Sequence, residues 1–245
     1  MKLKLTWSQV AQWAIVLLCV LALKLYYAQA SADQLRWVLA PTTLLVETVS
    51  GTSFEFEPHA GYLSEDRRFL IAPACAGINF LIAAFLMLAV RRLWRDRAQG
   101  SGWAFIPAAA LIAYVTTLIA NAARISIALR LARRQPVAGL SPEALHRAEG
   151  IVVYFGFLLL VFVIGEKMNA EKSRGLWRQS LFPLAVYYAT ALGMPLANGA
   201  YRQGADFWEH AVFVLLIPLL LILPFALARR LRMGVMQRGS FQGGQ

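Results

Sequence analysis

Ala113-Tyr114-Val115-Thr116-Thr117-Leu118-Ile119-Ala120-Asn121-Ala122-Ala123-Arg124-Ile125 reads as a membrane helix with one cation near its end. It belongs to an apolar run over 104–127, and a helix needs ~20 residues to cross the hydrocarbon core. Runs of similar length occur at 10–28, 70–90, 150–168, 181–197 and 210–228. The 245 residues are 59% hydrophobic, against roughly 45–50% in soluble domains, and the mean hydropathy is +0.55. The expected fold is an all-α polytopic membrane protein, a single integral membrane domain over 1–245 with about six transmembrane helices.

Charge placement gives the orientation. Lys2 and Lys4 precede the first run. Arg91, Arg92, Arg95 and Arg97 follow the second, and Lys167, Lys172, Arg174 and Arg178 the fourth. Arg229, Arg230, Arg232 and Arg238 follow the sixth. With six spans, these fourteen of the 24 basic residues share one side, which the positive-inside rule makes cytoplasmic. Both termini then lie there. The other side takes most of the acids: Asp33, Glu47, Glu55, Glu57, Glu65, Asp66, Glu143, Glu149, Asp206 and Glu209. The net charge of +11 reads as anchoring to anionic lipid, with no call for nucleic acid. Lys2, Lys4, the apolar run and Ala28-Gln29-Ala30 resemble a signal peptide. Lys24 interrupts that run late and five more spans follow, so an uncleaved first span is the preferred reading.

The longest outer piece is 29–70. Leu35, Val38, Leu39, Thr42, Leu45, Val46 and Val49 recur at helical spacing, which predicts an interfacial amphipathic helix kinked at Pro41. Thr52-Ser53-Phe54-Glu55-Phe56-Glu57 then alternates, and Arg68-Phe69-Leu70-Ile71 is expected to pair back on it as a small β-hairpin cap. In the second outer loop, 128–149, with Arg130, Arg133 and Arg134, Ser141-Pro142-Glu143 reads as an N-cap with Pro at the first helical position. Residues 239–245 read as a flexible tail.

Three unusual residues fall at one depth on the outer side. Cys75 lies where the long loop re-enters the membrane, in Ile71-Ala72-Pro73-Ala74-Cys75-Ala76-Gly77-Ile78-Asn79-Phe80. A membrane cysteine taken alone is most simply a packing residue, and Cys19 is read that way. Around Cys75, Pro73 suits a helix start, and Ala74, Ala76 and Gly77 leave room beside the sulfur. A helix N-terminus favours the thiolate. Arg124 inside an apolar helix costs about 2.5–3.5 kcal/mol on insertion scales and so seeks a partner or cavity, unless it snorkels to the interface. Asn121 is one turn earlier on the same face. His146 stands just before the fourth run, with Glu149 one turn later to orient its ring. His59, in a polar loop, and His210, beside Glu209, read as surface and interfacial residues. No Cys-x-x-Cys, His-Glu-x-x-His or Gly-x-Ser-x-Gly pattern occurs, so neither a metal nor a cofactor is expected.

These residues resemble a known family. Pro73-Ala74-Cys75-Ala76-Gly77-Ile78-Asn79-Phe80 is similar to the cysteine motif of the exosortase/archaeosortase superfamily, with wording closest to the exosortase K subgroup. Asn121-Ala122-Ala123-Arg124-Ile125 resembles its Asn-x-x-Arg motif, and His146 ahead of Gly150 its histidine site. The three come in the family's order. The resemblance covers about residues 60–165, and Ala76 stands where many members have Ser.

The resemblance implies a membrane-embedded cysteine transpeptidase or protease of a bacterial inner (plasma) membrane, its active site facing the periplasm or exterior. Its substrates would be exported proteins ending in a short motif, a transmembrane helix and a basic tail. Cys75 would be the nucleophile, Arg124 the oxyanion and thiolate stabiliser, and His146 the general acid and base. Asn121, Glu149, Gly77 and Asn79 would support them, and an acceptor nucleophile of unknown identity would take the new C-terminus. Two other readings stay open on the sequence: a non-enzymatic transporter subunit, channel or assembly factor, and an intramembrane cysteine peptidase that only hydrolyses.

Overall fold

The structure, a computed structural model, describes residues 6–95, 102–132, 141–168, 176–197, 199–204 and 207–224. Lys2, Lys4, Arg97, Arg133, Arg134, Lys172, Arg174, Asp206, Arg229, Arg230, Arg232, Arg238 and the 239–245 tail lie outside the described residues. The protein is mostly helical with one small sheet. Five described helices are long and apolar enough to cross a membrane. They are α1 (Trp7–Gln29), α3 (Ile78–Arg95, with the turn before it), α4 (Phe105–Ala132), α5 (Pro142–Met168) and α8 (Phe207–Pro224). The expected run at 181–197 forms a shorter apolar helix, Ser180–Leu196. Here α6 (Leu176–Tyr188) passes through a π-turn, Ala189–Gly193, into α7 (Met194–Ala197). The Thr190 hydroxyl donates to the Val186 and Tyr187 carbonyls, satisfying acceptors that the wider turn displaces.

The chain divides into two compact units, 1–158 and 159–245. The first carries every residue that the sequence placed at the site. Its α1 begins at a capping box: Gln9 N–H donates to the Thr6 hydroxyl at 3.3 Å, and Thr6 N–H to the Gln9 side chain at 3.0 Å. Within this unit α1 packs on α3, α3 on α4, and α2 (Arg36–Ser50) on α4.

Helix α2 follows the expected periodicity on a narrower face. Val38, Leu39, Thr42 and Val46 are buried, whereas Leu45 and Val49 are exposed and Thr43 is buried in their place. Pro41 lies inside the helix. It has no N–H to give the carbonyl four residues back, that of Trp37. The Tyr114 hydroxyl of α4 donates to that carbonyl at 2.6 Å, and the Trp37 and Tyr114 rings stack at 5.7 Å. The helix breaker thus frees the acceptor that fastens α2 to α4.

The sheet corrects the hairpin expectation. Strand β1 (Phe54–Glu57) pairs not with 68–71 but with β2 (Gly61–Ser64), and β2 pairs with β3 (Leu70–Ile71), all antiparallel. Two tight turns make the extra strand. In the first, Ala60 N–H bonds the Glu57 carbonyl and His59 takes φ 66°. In the second, Arg67 N–H bonds the Ser64 carbonyl, while Asp66 accepts from the Ser64 hydroxyl and Arg68 N–H. Strand β3 ends two residues before Pro73.

Candidate active site

Cys75 stands in a 3₁₀ turn, Pro73–Cys75, and not in the first turn of α3 as the position of Pro73 led one to expect. Gly77 separates the turn from α3. Its φ is +70°, which side chains resist. A Cβ there would meet the Asn121 and Thr117 side chains at 3.3 Å. Glycine therefore serves twice, reversing the backbone and letting the cysteine turn lie flat on α4.

The turn is held from two sides. The Asn121 amide, fully buried in α4, donates to the Cys75 carbonyl. On the other side the Tyr27 hydroxyl of α1 reaches the Pro73 carbonyl at 3.4 Å. The Cys75 side chain is partly exposed and its thiol is free. It lies within electrostatic range of Arg124, Tyr154 and Tyr27.

Arg124 is the centre of the cluster. Its Nη1 donates to the Tyr154 hydroxyl at 3.2 Å, and its Nη2 is 2.8 Å from His146 Nε2. The guanidinium carbon also lies 5.5 Å from the Tyr154 ring centroid, a cation–π contact. An arginine has no acceptor lone pair, so His146 Nε2 accepts here and Nδ1 carries the proton. Nδ1 faces Glu149 Oε2 at 3.4 Å. The Glu149 side chain is only 6% exposed, and neither oxygen has a well-aligned hydrogen bond among the described residues. A buried carboxylate with one long contact is free to take a firmer bond when the imidazole becomes positive. Gly150 completes the fit: a Cβ there would press the Arg124 Nε at 3.3 Å.

Tyr154 closes the chain of contacts. Its hydroxyl accepts from Arg124 and donates to Asn121 Oδ1 at 2.9 Å. Its ring stacks on Phe80 of α3 at 4.8 Å. One polar path thus runs Glu149, His146, Arg124, Tyr154, Asn121, Cys75 carbonyl. Its members come from α5, α4 and the cysteine turn. Ser141 sets the start of α5 as expected, with its hydroxyl accepting from Ala144 N–H at 3.1 Å.

The sequence reading placed Cys75, Asn121, Arg124, His146, Glu149 and Gly77 together, and the fold brings these together. No bond between the Cys75 thiol and His146 is present among the described residues, and Arg124 fills the imidazole's acceptor position. Asn79 goes elsewhere. Its Oδ1 accepts from Lys24 Nζ of α1 at 3.0 Å, because two residues of helix past Gly77 turn it off the α4 side. His59 pairs with Asp33 at 3.1 Å on the exposed loop, and His210 belongs to the second unit. Tyr154 and Tyr27 went unread. Tyr154 carried a signal: a phenol within Ile151-Val152-Val153-Tyr154-Phe155 has a hydroxyl that needs a partner, and it follows His146 by two helical steps of four.

No protein-family model, curated protein or solved structure matches the chain.

Proposed function

We propose that the protein is a cysteine transpeptidase or peptidase of the exosortase type. In this reading it cuts the C-terminal sorting signal of exported proteins at the outer face of a bacterial inner membrane. The observation that carries it is Arg124, a cation inside an apolar helix, bonded at once to His146 and to the tyrosine that joins it to the cysteine turn. A transporter role would use the cation, but has no need of an imidazole bonded to it and a cysteine turn tied to it through Tyr154 and Asn121.

The substrate's apolar tail lies in the bilayer, with its scissile peptide at the level of Cys75. The thiolate attacks the carbonyl carbon, an S–C bond forms, and the carbonyl oxygen takes the charge. Arg124 meets that oxyanion with N–H groups left over from Tyr154 and His146. As the substrate carbonyl draws the guanidinium, His146 Nε2 is released. Released from Arg124, Nε2 takes the proton that the Cys75 thiol loses as the thiolate forms and, balanced by Glu149, passes it to the leaving amine as the C–N bond breaks. The thioester is then attacked by an acceptor nucleophile that yields its proton to His146, and the thiolate is expelled. With water as acceptor the outcome is hydrolysis. The sheet and α2 limit access from the outer side. Six spans, with both termini cytoplasmic, complete the reading.

The test is Cys75→Ala against wild type, each co-expressed with an exported protein from the same genome that ends in a short motif, an apolar helix and a basic tail. We expect full-length precursor to accumulate in the membrane only with the variant. Equal processing by both would end the enzyme reading and leave the transporter or assembly-factor role.

A further inference from the structure

The first unit holds an apolar cavity of about 490 Å³ between α1, α3, α4 and the start of α2. Its position relative to the cysteine turn can be read along the helices. Tyr114 lines its near end, seven positions before Asn121 on α4, hence about 10 Å from it at 1.5 Å per residue. From that end the lining runs away from the site on all three helices: Leu23 to Cys19, Leu81 to Phe85, and Tyr114 through Ala110 to Ile106. The cavity is therefore a slot along the helix direction, within segments apolar enough to cross a membrane. Trp37 stands at the near end, stacked on Tyr114.

Three features identify what fills the slot. Its one hydroxyl, that of Tyr114, is taken by the Trp37 carbonyl, so water entering would find no set of partners. Leu18, Leu111 and Val115 beside it are exposed apolar residues, and in a bilayer such faces meet hydrocarbon. The slot is open along its side, so a chain of a neighbouring lipid enters it directly from the bilayer. A single alkyl chain is narrow enough to run the slot's length.

We propose that this slot is a binding site for one hydrocarbon chain of a membrane lipid, with the head group at the Trp37 end, where interfacial aromatics belong. The inference does not rest on the peptidase reading. It makes the lipid a stoichiometric component of the first unit.

The test uses Cys19, which lines the slot. In the full chain carrying Cys75→Ser it is the only thiol, since the protein has two cysteines. The detergent-purified, delipidated protein is labelled with a maleimide while phosphatidylglycerol or its single-chain lyso form is added in mixed micelles. Native mass spectrometry counts bound lipid. We expect one lipid per chain, a several-fold slower Cys19 labelling with either lipid, and loss of both effects in Ala110→Phe, which fills the slot. If Ala110→Phe does not fold, the protection of Cys19 in the parent protein decides. Labelling that ignores both lipids would overturn the proposal. So would protection that appears only when a second copy or a tailed substrate peptide is bound, because the occupant would then be protein.

Discussion

The Tyr154 hydroxyl donates to Asn121 Oδ1 at 2.9 Å while accepting from Arg124 Nη1 at 3.2 Å. This one oxygen joins the arginine and histidine end of the cluster to the amide that holds the Cys75 carbonyl. Removing it as Tyr154→Phe keeps the ring on Phe80 and leaves the buried Asn121 amide and the half-buried Arg124 each short of a partner. We expect a loss of about 1–3 kcal/mol of stability, read by thermal unfolding in detergent. We also expect processing to fall by more than the folded fraction does. Processing equal to wild type would show the bridge to be incidental.

Arg124 makes two bonds from two different nitrogens, to Tyr154 and to His146. A lysine ammonium is a point charge that cannot span both while also facing an oxyanion. Arg124→Lys should therefore process slowly despite its retained charge, with a rate loss corresponding to about 2.7–4 kcal/mol if Arg124 acts as an oxyanion donor. The measurement is the single-turnover rate on a tailed substrate. A lysine variant near wild type would reduce the role of Arg124 to bulk charge.

Gly77 is constrained by its φ of +70° and by the Asn121 and Thr117 side chains. Gly77→Ala should push the cysteine turn off α4 and break the Asn121 bond to the Cys75 carbonyl. The strain alone exceeds ~1 kcal/mol where alanine must take positive φ. Cys75 alkylation should change in rate while the far end of α4 stays protected from hydrogen exchange. Unaltered alkylation and stability would contradict the packing described.

Pro41 and Tyr114 form a testable pair. Tyr114→Phe takes the partner of the Trp37 carbonyl away, at about 0.5–1.5 kcal/mol, the net worth of an ordinary hydrogen bond. Pro41→Ala restores an N–H to that carbonyl. The double variant should then be more stable than Tyr114→Phe alone, in a thermal or denaturant double-mutant cycle. Additive losses would mean that the tyrosine does not replace the missing helical bond.

Much of this was legible in the sequence because polar residues inside apolar runs are costly and few. Arg124, Asn121 and Cys75 stood out on that ground, and His146 and Glu149 followed from helical spacing after a recognisable N-cap. Tyr154 did not stand out, because a tyrosine counts as one more aromatic in an apolar span and its partners are 30 and 33 residues away. Asn79 came only with the cysteine motif of the resemblance, and its side chain bonds Lys24 of α1 instead of the Asn121 cluster. The middle strand went unread because Gly61–Ser64 is short and shows no clear alternation, and the left-handed His59 makes the reversal tight enough to start a strand at Gly61. The fastening of α2 through the Trp37 carbonyl depends on a tyrosine 77 residues away, which no local pattern encodes.

The central claim is that the Cys75 sulfur becomes acylated. The direct measurement is intact-protein mass spectrometry of the full chain after brief exposure to a tailed substrate. A substrate-derived mass on Cys75 that hydroxylamine releases, absent in Cys75→Ala and formed far more slowly in His146→Ala, which lacks the acid for the leaving amine, is the predicted result. Cleaved substrate appearing with no such adduct in any variant would contradict the account.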